Sequence, residues 1–180
     1  RGLGDVYKRQ AVERLFLAGH RKIGMIAGPE HVFTARERYL GYEEAFKKAG
    51  IEVQDSLVVH GDYTIAGGAR AMKELAKQNP QMTAVFVSNY EMTVGAMIES
   101  NEIGIRIPED LSVIGFDNIE FAKASNPKLS IVTQPTKEIG RNVAELILDR
   151  LDNPTREMPP KEMKLKTSFV EGKSVHILSV

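Results

Sequence analysis

Residues 84–100 read AVFVSNYEMTVGAMIES, a short apolar run followed by a polar break and a segment whose apolar residues recur at helical spacing. The run has no polar alternation, which favours a strand buried on both faces of a sheet. The same order recurs between Lys22 and Phe116. This repeated switch from strand to helix is typical of βαβ units, so the predicted fold class is α/β, with a parallel sheet flanked by helices.

We predict three further strands in this part of the chain, at residues 23–27, 56–59 and 112–116. Helical spacing predicts the helices at residues 35–48, 66–77 and 92–100. Right-handed crossovers between such strands bring all their carboxyl ends to one edge of the sheet. Ligands of open α/β sheets bind at that edge.

Polar residues follow each predicted strand and define a candidate binding mouth. They are Gly28 and Pro29 leading to Thr34 and Arg38, then Asp62 with Tyr63, Ser88 with Asn89, and Asp117 with Asn118. An arginine offers a fixed fork of donors for vicinal hydroxyls, a carboxylate or a purine edge, and a tyrosine ring stacks on a sugar or base. The alternatives are a solvated helix charge for Arg38, a core position for Tyr63 and a helix cap for Asp117.

The alternation of strands and helices changes after Asp117. A short strand at residues 129–132 precedes a strongly amphipathic helix at residues 136–151. The apolar stripe of this helix consists of Ile139, Val143, Leu146, Ile147 and Leu151. An extended segment is predicted at residues 163–170. Because the preceding strands have their own crossover helices, we expect the partner of this last helix to be a sheet that the chain does not contain.

Composition restricts the class of protein. The 180 residues correspond to roughly one domain and carry 24 basic and 24 acidic side chains, so no net positive charge points to nucleic acid. The absence of cysteine excludes a disulfide scaffold, an iron–sulfur cluster, a thiolate zinc site and a cysteine nucleophile. No apolar run is long enough to cross a bilayer, and the first residues do not resemble a signal peptide. We therefore expect a cytoplasmic protein without a membrane partner.

Signatures of catalysis are absent from the sequence. It has no phosphate-binding loop, nucleophile elbow or metal-binding histidine pair, and its four histidines are scattered. Asp62 and Asp117 are the carboxylates that stand out near the mouth, and they are unpaired in the sequence. His20, between a predicted helix and strand, is expected to lie on the surface. We expect no catalytic residues, no metal and no cofactor, and a protein that is not an enzyme.

Several spaced motifs together resemble one known family. They are residues 19–24 (GHRKIG), 35–42 (ARERYLGY), 61–63 (GDY), 83–86 (TAVF), 89–97 (NYEMTVGAM), 107–118 (IPEDLSVIGFDN) and 130–135 (SIVTQP). From residue 11 to residue 170, the chain resembles the effector-binding domain of lactose- and galactose-repressor-type (LacI family) transcriptional regulators. The resemblance implies a type I periplasmic-binding-protein-like fold, in which two α/β subdomains clasp a small effector. This chain would be mostly the C-terminal subdomain.

The resemblance also implies roles for individual residues. Arg38 and Asp117 would hydrogen-bond the effector, and Tyr63 would stack on it. Asn89, Gln134 and Thr34 would line the same cleft. The helix at residues 93–101 would contact a second copy of the protein through Val94, Met97 and Ile98. One departure from the family is Tyr90, which stands where an acidic residue is usual.

Four segments are expected from the resemblance. Residues 11–133 would form the C-terminal effector-binding subdomain, residues 134–160 a returning segment of a truncated N-terminal subdomain, and residues 161–180 a C-terminal strand and tail. Residues 1–10 do not fit the family, and we interpret them as a non-native junction. Operator DNA would be bound only through an N-terminal helix-turn-helix headpiece that this chain lacks.

These features favour the effector-sensing domain of a LacI-family repressor, which binds a small sugar or a nucleobase-like ligand and acts as a homodimer. The alternative is a periplasmic sugar-binding protein of a transport system, which shares the fold and the cleft but needs export and no headpiece. A third class, an α/β enzyme acting on small sugars, would need a phosphate loop or a nucleophile that the sequence does not show.

Overall fold

A mixed sheet runs through the part of the chain that the structure describes. The computed structural model describes residues 9–153, 159, 163 and 165–178. In chain order the strands are β1 (Ile23–Ala27), β2 (Val58–His60), β3 (Ala84–Val87), β4 (Ser112–Phe116), β5 (Ser130–Thr133) and β6 (Ser168–Val170). They are ordered β2-β1-β3-β4-β5-β6 across the sheet, and all neighbours are parallel except β6, which is antiparallel to β5. The predicted α/β class, with a mostly parallel sheet, is confirmed.

Helices cover this sheet and extend from it. They are α1 (Gln10–Leu17), α2 (Phe33–Ala49), α3 (Ile65–Gln78), α4 (Tyr90–Glu102), α5 (Ile119–Ala124) and α6 (Thr136–Asp152). Four of them lie where helical spacing predicts them; α2, α3 and α4 extend slightly beyond both predicted ends, and α6 extends one residue beyond its predicted C-terminal end. The sequence predicts a helix before His20, where α1 lies, but gives no bounds for it, and α5 was not predicted.

Three sequence predictions differ from the structure or lie outside it. The first residues of the predicted strand at 56–59 instead belong to a 3₁₀ turn, Asp55–Leu57. The predicted junction at residues 1–10 lies outside the described residues except for Arg9 and Gln10. Parts of the predicted segments 134–160 and 161–180 lie outside them as well.

Side-chain alternation along the strands divides the core into two layers. Met25 of β1 packs with Tyr42 in the layer beneath α1 and α2. Its neighbour Ile26 belongs to the opposite layer, with Met72, beneath α3 and α4. The Tyr42 hydroxyl is satisfied inside this core because it donates a hydrogen bond to the Ile23 carbonyl at 2.7 Å. Both faces of the central strands are therefore covered, as the unbroken apolar runs indicate.

Helices α3 and α4 approach each other at backbone distance. A Cβ atom on Gly95 would lie 1.9 Å from the carbonyl oxygen of Ile65, and one on Gly68 would lie 2.3 Å from that of Met92. Neither position admits a side chain without moving backbone atoms. The two helices consequently pack side by side as one unit on their face of the sheet.

A C-terminal segment, residues 172–178, crosses the amino ends of β4 and β5. The Ser174 hydroxyl donates to the Val113 carbonyl at 2.6 Å and accepts from the Ser130 amide at 2.8 Å. The His176 amide donates to the Ser112 hydroxyl at 2.9 Å. This segment therefore satisfies polar groups that the strand starts would otherwise leave exposed.

The expectation that His20 lies on the surface is wrong. His20 has an exposed fraction of 0%, and its Nε2 lies 3.0 Å from the His176 carbonyl oxygen. Since a carbonyl only accepts, Nε2 carries the hydrogen and Nδ1 accepts from the Thr83 hydroxyl at 3.0 Å. Burial lowers the pKa of His20, and the hydrogen bond to His176 only partly opposes this shift. The imidazole is a buried link between the turn before β1 and the C-terminal segment.

Helix α6 projects from the rest of the described fold. None of its residues is buried, although its stripe is apolar. Four of the five stripe residues are exposed, from 36% at Ile139 to 54% at Ile147 and 69% at Leu151, while Leu146 is half-buried. The expectation that its partner lies outside this chain stays a prediction. Among the helices of the described residues, none has the length and apolar character that crossing a bilayer requires.

Candidate ligand-binding site

Five parallel strands end at one edge of the sheet, and the candidate site lies along this carboxyl edge. Strand order places Tyr63, which follows β2, at one end of the row and Gln134, which follows β5, at the other. Asn89 and Asp117 follow the strands between them. Strand β2, the next after β1 in the chain, lies on one side of β1, and β3 lies on its other side. The direction in which successive strands are added to the sheet therefore reverses between β1 and β3. Such a switch point is where ligands of open α/β sheets bind.

Arg38 extends from α2 toward the ends of β3 and β4. Its Nη1 donates to the Ser88 carbonyl at 2.6 Å, and its Cζ lies 3.9 Å from the centroid of the Phe116 ring. Burial lowers the pKa of Arg38, while nearby Tyr63 and Asp117 oppose the shift. A guanidinium stays protonated through such a shift. Arg38 is therefore a partly buried cation of this edge and not a solvated helix charge.

Asp117 joins the ends of β4 and β5. Its Oδ1 accepts from the Gln134 amide at 3.0 Å, and its Oδ2 accepts from Gln134 Nε2 at 2.7 Å. The helix-cap role considered for Asp117 belongs instead to Asn118, whose Oδ1 accepts from the Phe121 amide at 2.9 Å. Each oxygen of an ionised carboxylate can accept a further hydrogen bond, so Asp117 can still bind a ligand.

Tyr63 packs its ring over Gly28. A Cβ atom on Gly28 would lie 2.3 Å from Cε1 of that ring, so the absence of a side chain at residue 28 leaves room for it. Tyr63 has a left-handed φ of 65°, which is uncommon for a bulky residue. Its hydroxyl is buried without a hydrogen-bond partner among the described residues. The residue as a whole is half-buried and packs against the core layer beneath α3 and α4, so the core position considered for it is partly realised.

Asp62, next to Tyr63, has a structural function. Its Oδ1 accepts from the Thr64 hydroxyl at 2.6 Å, and its Oδ2 pairs with Arg70 at 2.7 Å. The bonds from Thr64 and then Arg70 lower the pKa of Asp62. Thr64 in turn caps α3 by accepting from the Gly67 amide at 2.9 Å. This carboxylate fixes the start of α3.

Asn89 and Thr34 complete the predicted set. Asn89 caps α4 because its Oδ1 accepts from the Met92 amide at 3.0 Å, which leaves its amide nitrogen for a ligand. Thr34 has an exposed side chain in the first turn of α2, and no hydrogen bond joins it to the other predicted residues. The structure therefore brings Arg38, Tyr63, Asn89, Asp117 and Gln134 to one edge and places Thr34 at its margin.

Phe116 was not predicted as part of this site. Ser88 and Gly28 were placed in the mouth, but no role was predicted for the Ser88 carbonyl or for the space above Gly28. A signal for Phe116 existed. Alternation along β4 puts it on the same face as Ile114, which is the face that α2 covers. The arrangement now offers one cation, one carboxylate, two amides and one ring, which suits a polar ligand with several hydroxyl or ring-nitrogen groups.

A second surface feature lies on the far side of α4. Val94, Met97 and Ile98 line a groove of about 970 Å³, together with Ile105, Ile107, Pro108 and Phe121. Ile98 is 49% exposed. Val94, Met97 and Ile98 are the three residues expected to contact a second copy of the protein.

Known proteins share the sequence pattern and the fold of this chain. Residues 12–175 match a family model described as a periplasmic binding protein-like domain. The chain is 39% identical, over 92% of its length, to the HTH-type transcriptional regulator CelR of Thermobifida fusca, of which it covers 48%. The chain spans about half the length of the curated relatives that it matches.

Two solved structures show the same similarity in three dimensions. A transcriptional regulator CelR–cellobiose complex matches with a TM-score of 0.88 and 37% identity, over 95% of this chain and 52% of that one. A sugar-binding transcriptional regulator (LacI family) from Escherichia coli, complexed with phosphate, matches with a TM-score of 0.83 and 31% identity, over 97% of this chain and 62% of that one.

Proposed function

The chain belongs to the periplasmic binding protein-like domain family, among the effector domains of LacI-type regulators, and from this premise we propose that it senses a small sugar for a transcriptional repressor. The observation that carries the proposal is the grouping of Arg38, Tyr63 and Asp117 at the carboxyl edge of the sheet. The cellobiose bound by the related regulator supports a sugar over a nucleobase. The transport-protein alternative loses support because the relatives reported above are transcriptional regulators.

Sugar recognition follows from the donors and acceptors at this edge. The Arg38 guanidinium donates to vicinal hydroxyls, and the Asp117 carboxylate accepts from them. The Tyr63 ring stacks on the apolar face of the sugar. Asn89 and Gln134 add amide groups at the two sides of the carboxylate. No covalent chemistry is required of these residues, and the protein acts as a sensor rather than an enzyme.

The output is a change in DNA affinity. We propose that residues 11–133 belong to the C-terminal subdomain, residues 134–160 to a segment that returns to an N-terminal subdomain, and residues 161–180 to the C-terminal strand and tail. The effector binds one arrangement of the two subdomains more tightly than the other. Effector binding therefore changes the affinity of the N-terminal headpiece for operator DNA. The size of this change is set by the ratio of the effector's affinities for the two subdomain arrangements. The protein works in the cytoplasm.

A homodimer places two headpieces on one operator. Its contact is the groove lined by Val94, Met97 and Ile98, where exposed apolar side chains would become buried. The variant Ile98→Glu would bury a charge in that contact. Light scattering tests this, since a dimer that stays intact in the variant would place the contact elsewhere.

The decisive experiment is calorimetric titration of the full-length protein that carries this chain with cellobiose, D-ribose and adenosine. We expect a sugar to bind, and Arg38→Ala and Asp117→Ala to weaken it by about 10- to 100-fold, because each leaves hydrogen bonds to the ligand unmade. Arg36→Ala, an exposed arginine on the same helix, is the matched control and should leave affinity unchanged. Unchanged affinity in Asp117→Ala, or no binding of any of the three compounds, would refute the proposal.

A further inference from the structure

The Arg38 guanidinium is held by groups of the protein before any ligand is present. Its Cζ lies 3.9 Å from the centroid of the Phe116 ring, and its Nη1 donates to the Ser88 carbonyl at 2.6 Å. A cation within about 6 Å of a ring centroid is attracted to the ring face, and the attraction grows when water is excluded. Phe116 is 6% exposed, so this contact is largely shielded from solvent.

The Phe116 ring is itself fixed by the core. It is the last residue of β4 and packs in the same layer as Phe86 and Ile114. The chain then turns at once, since Asp117 has a left-handed φ of 58° and its carboxylate binds Gln134. Phe116 and Asp117 thus have separate partners, because the Phe116 ring lies against the Arg38 guanidinium and the Asp117 carboxylate binds Gln134.

No carboxylate of the described residues lies within ion-pair distance of Arg38, although Asp117 is near enough to stabilise its charge. Among the residues that the structure describes, Arg38 has no ion pair within 4.0 Å, and both oxygens of Asp117 are engaged by Gln134. A long cationic side chain without a fixed partner loses rotational freedom when it binds a ligand, and this loss weakens binding. A ring and a carbonyl that restrain the side chain beforehand remove part of that loss.

We propose that Phe116 is a positioning residue, whose ring holds the Arg38 guanidinium in the orientation that meets the ligand. The inference rests on the proposed sugar-sensing function and adds to it a residue that acts through Arg38. The ring covers one face of the guanidinium, and the Ser88 carbonyl accepts a hydrogen bond from one of its N–H groups. The remaining N–H groups are left to donate to oxygen atoms of the ligand.

The test is a double-mutant cycle in the full-length protein, with cellobiose and D-ribose as probes. We expect Phe116→Leu to weaken binding of the sugar that binds by about 3- to 30-fold, the range of a cation–π contact, and Phe116→Tyr to stay within about 2-fold. In the Arg38→Ala background, Phe116→Leu should have no further effect. Phe86→Leu is the matched control, because it removes a ring from the same core layer without a guanidinium contact.

The outcomes separate this inference from the proposed function. If Arg38→Ala weakens binding but Phe116→Leu weakens it equally in both backgrounds, the ring has only a structural role and the inference is wrong while the function stands. If neither sugar binds the parent protein, both are wrong. Should Phe116→Leu fail to fold, fluorinated phenylalanines at residue 116 keep the ring shape and weaken its negative face. Affinity that does not decline with fluorination would then overturn the inference.

Discussion

The two edges of the sheet differ in how far their polar groups are satisfied. At the amino edge, His20, Ser174 and the hydroxyls of Ser112 and Ser130 all have hydrogen-bond partners. At the carboxyl edge, two bulky or charged residues have left-handed φ angles, Arg38 has no ion pair among the described residues, and the Tyr63 hydroxyl is unpaired. Strain and unpaired groups concentrate where ligands bind. We therefore expect stability to be concentrated at the amino edge and ligand recognition at the carboxyl edge.

The largest expected effect on stability comes from removing the His20 side chain at the amino edge. His20→Ala removes two hydrogen bonds and leaves a cavity beneath residues 172–178. We expect the free energy of unfolding to fall by about 3 kcal/mol, with sugar affinity unchanged. Urea denaturation measures this, and His31→Ala, at an exposed histidine, is the control. A loss below about 1 kcal/mol would show that the amino edge is not where stability is concentrated.

Removing one hydroxyl of the same edge should have a smaller effect. Ser174→Ala leaves the Ser130 amide without its acceptor and the Val113 carbonyl without its Ser174 hydroxyl donor. We expect about 2 kcal/mol of destabilisation. Ser168→Ala, at an exposed serine of β6, is the control in the same denaturation experiment. If the two variants are equally stable, water replaces the buried hydroxyl.

Acid should weaken the amino edge selectively. The pKa of His20 is lowered by burial from the ordinary value of 6.5, so the unfolded chain binds this proton at a higher pH than the folded chain does. Between the two values the unfolded state binds more protons, and the free energy of unfolding falls as the pH drops from about 7. One proton gives a slope of at most about 1.4 kcal/mol per pH unit.

Denaturation series at several pH values, for the parent and for His20→Asn, measure this contribution. The groups nearest the imidazole that carry or gain charge are Arg21 and His176, and both disfavour its protonation. The variant should show a shallower fall between about pH 7 and pH 6, because the titrating imidazole is absent. Equal slopes in the two proteins would assign the acid sensitivity to other groups.

The smallest effect is expected at the carboxyl edge, and it has the opposite sign. Tyr63→Phe removes a buried hydroxyl without a partner, so we expect stability to rise by about 0.5–1 kcal/mol. Tyr42→Phe is the control, since it removes a hydroxyl bonded to the Ile23 carbonyl and should lower stability by a similar amount. Thermal unfolding measures both. Destabilisation by Tyr63→Phe would show that the hydroxyl has a partner in solution.

Local sequence signals predicted the strands and most of the carboxyl edge. The runs at residues 84–87 and 112–116 are apolar throughout, and a polar residue follows each, so both the strand and the side chain at its end could be located. Apolar periodicity also predicted α6, but periodicity carries no information about what covers an apolar stripe. The stripe is exposed in the structure.

Two of the missed features depend on contacts between distant segments. His20 is buried by a segment 156 residues away in the chain, and nothing near residue 20 indicates this contact. The ring beneath Arg38 comes from a strand that lies 78 residues further along, as the numbering of Phe116 shows. The bounds of helix α1 were not predicted for a different reason. Its buried residues Ala11, Val12 and Leu15 have helical spacing, but they adjoin the segment interpreted as a junction.

The close backbone approach of α3 and α4 at Gly68 and Gly95 has a mechanical consequence. Helix α4 has 13 residues and is about 20 Å long, with Asn89 of the carboxyl edge at its start and Val94, Met97 and Ile98 of the groove along its length. Flexible side chains do not cushion its contact with α3, since backbone meets backbone there. We therefore expect α4 to move as a rigid unit about its contact with α3. A displacement of its first turn would then be transmitted to the residues that line the groove.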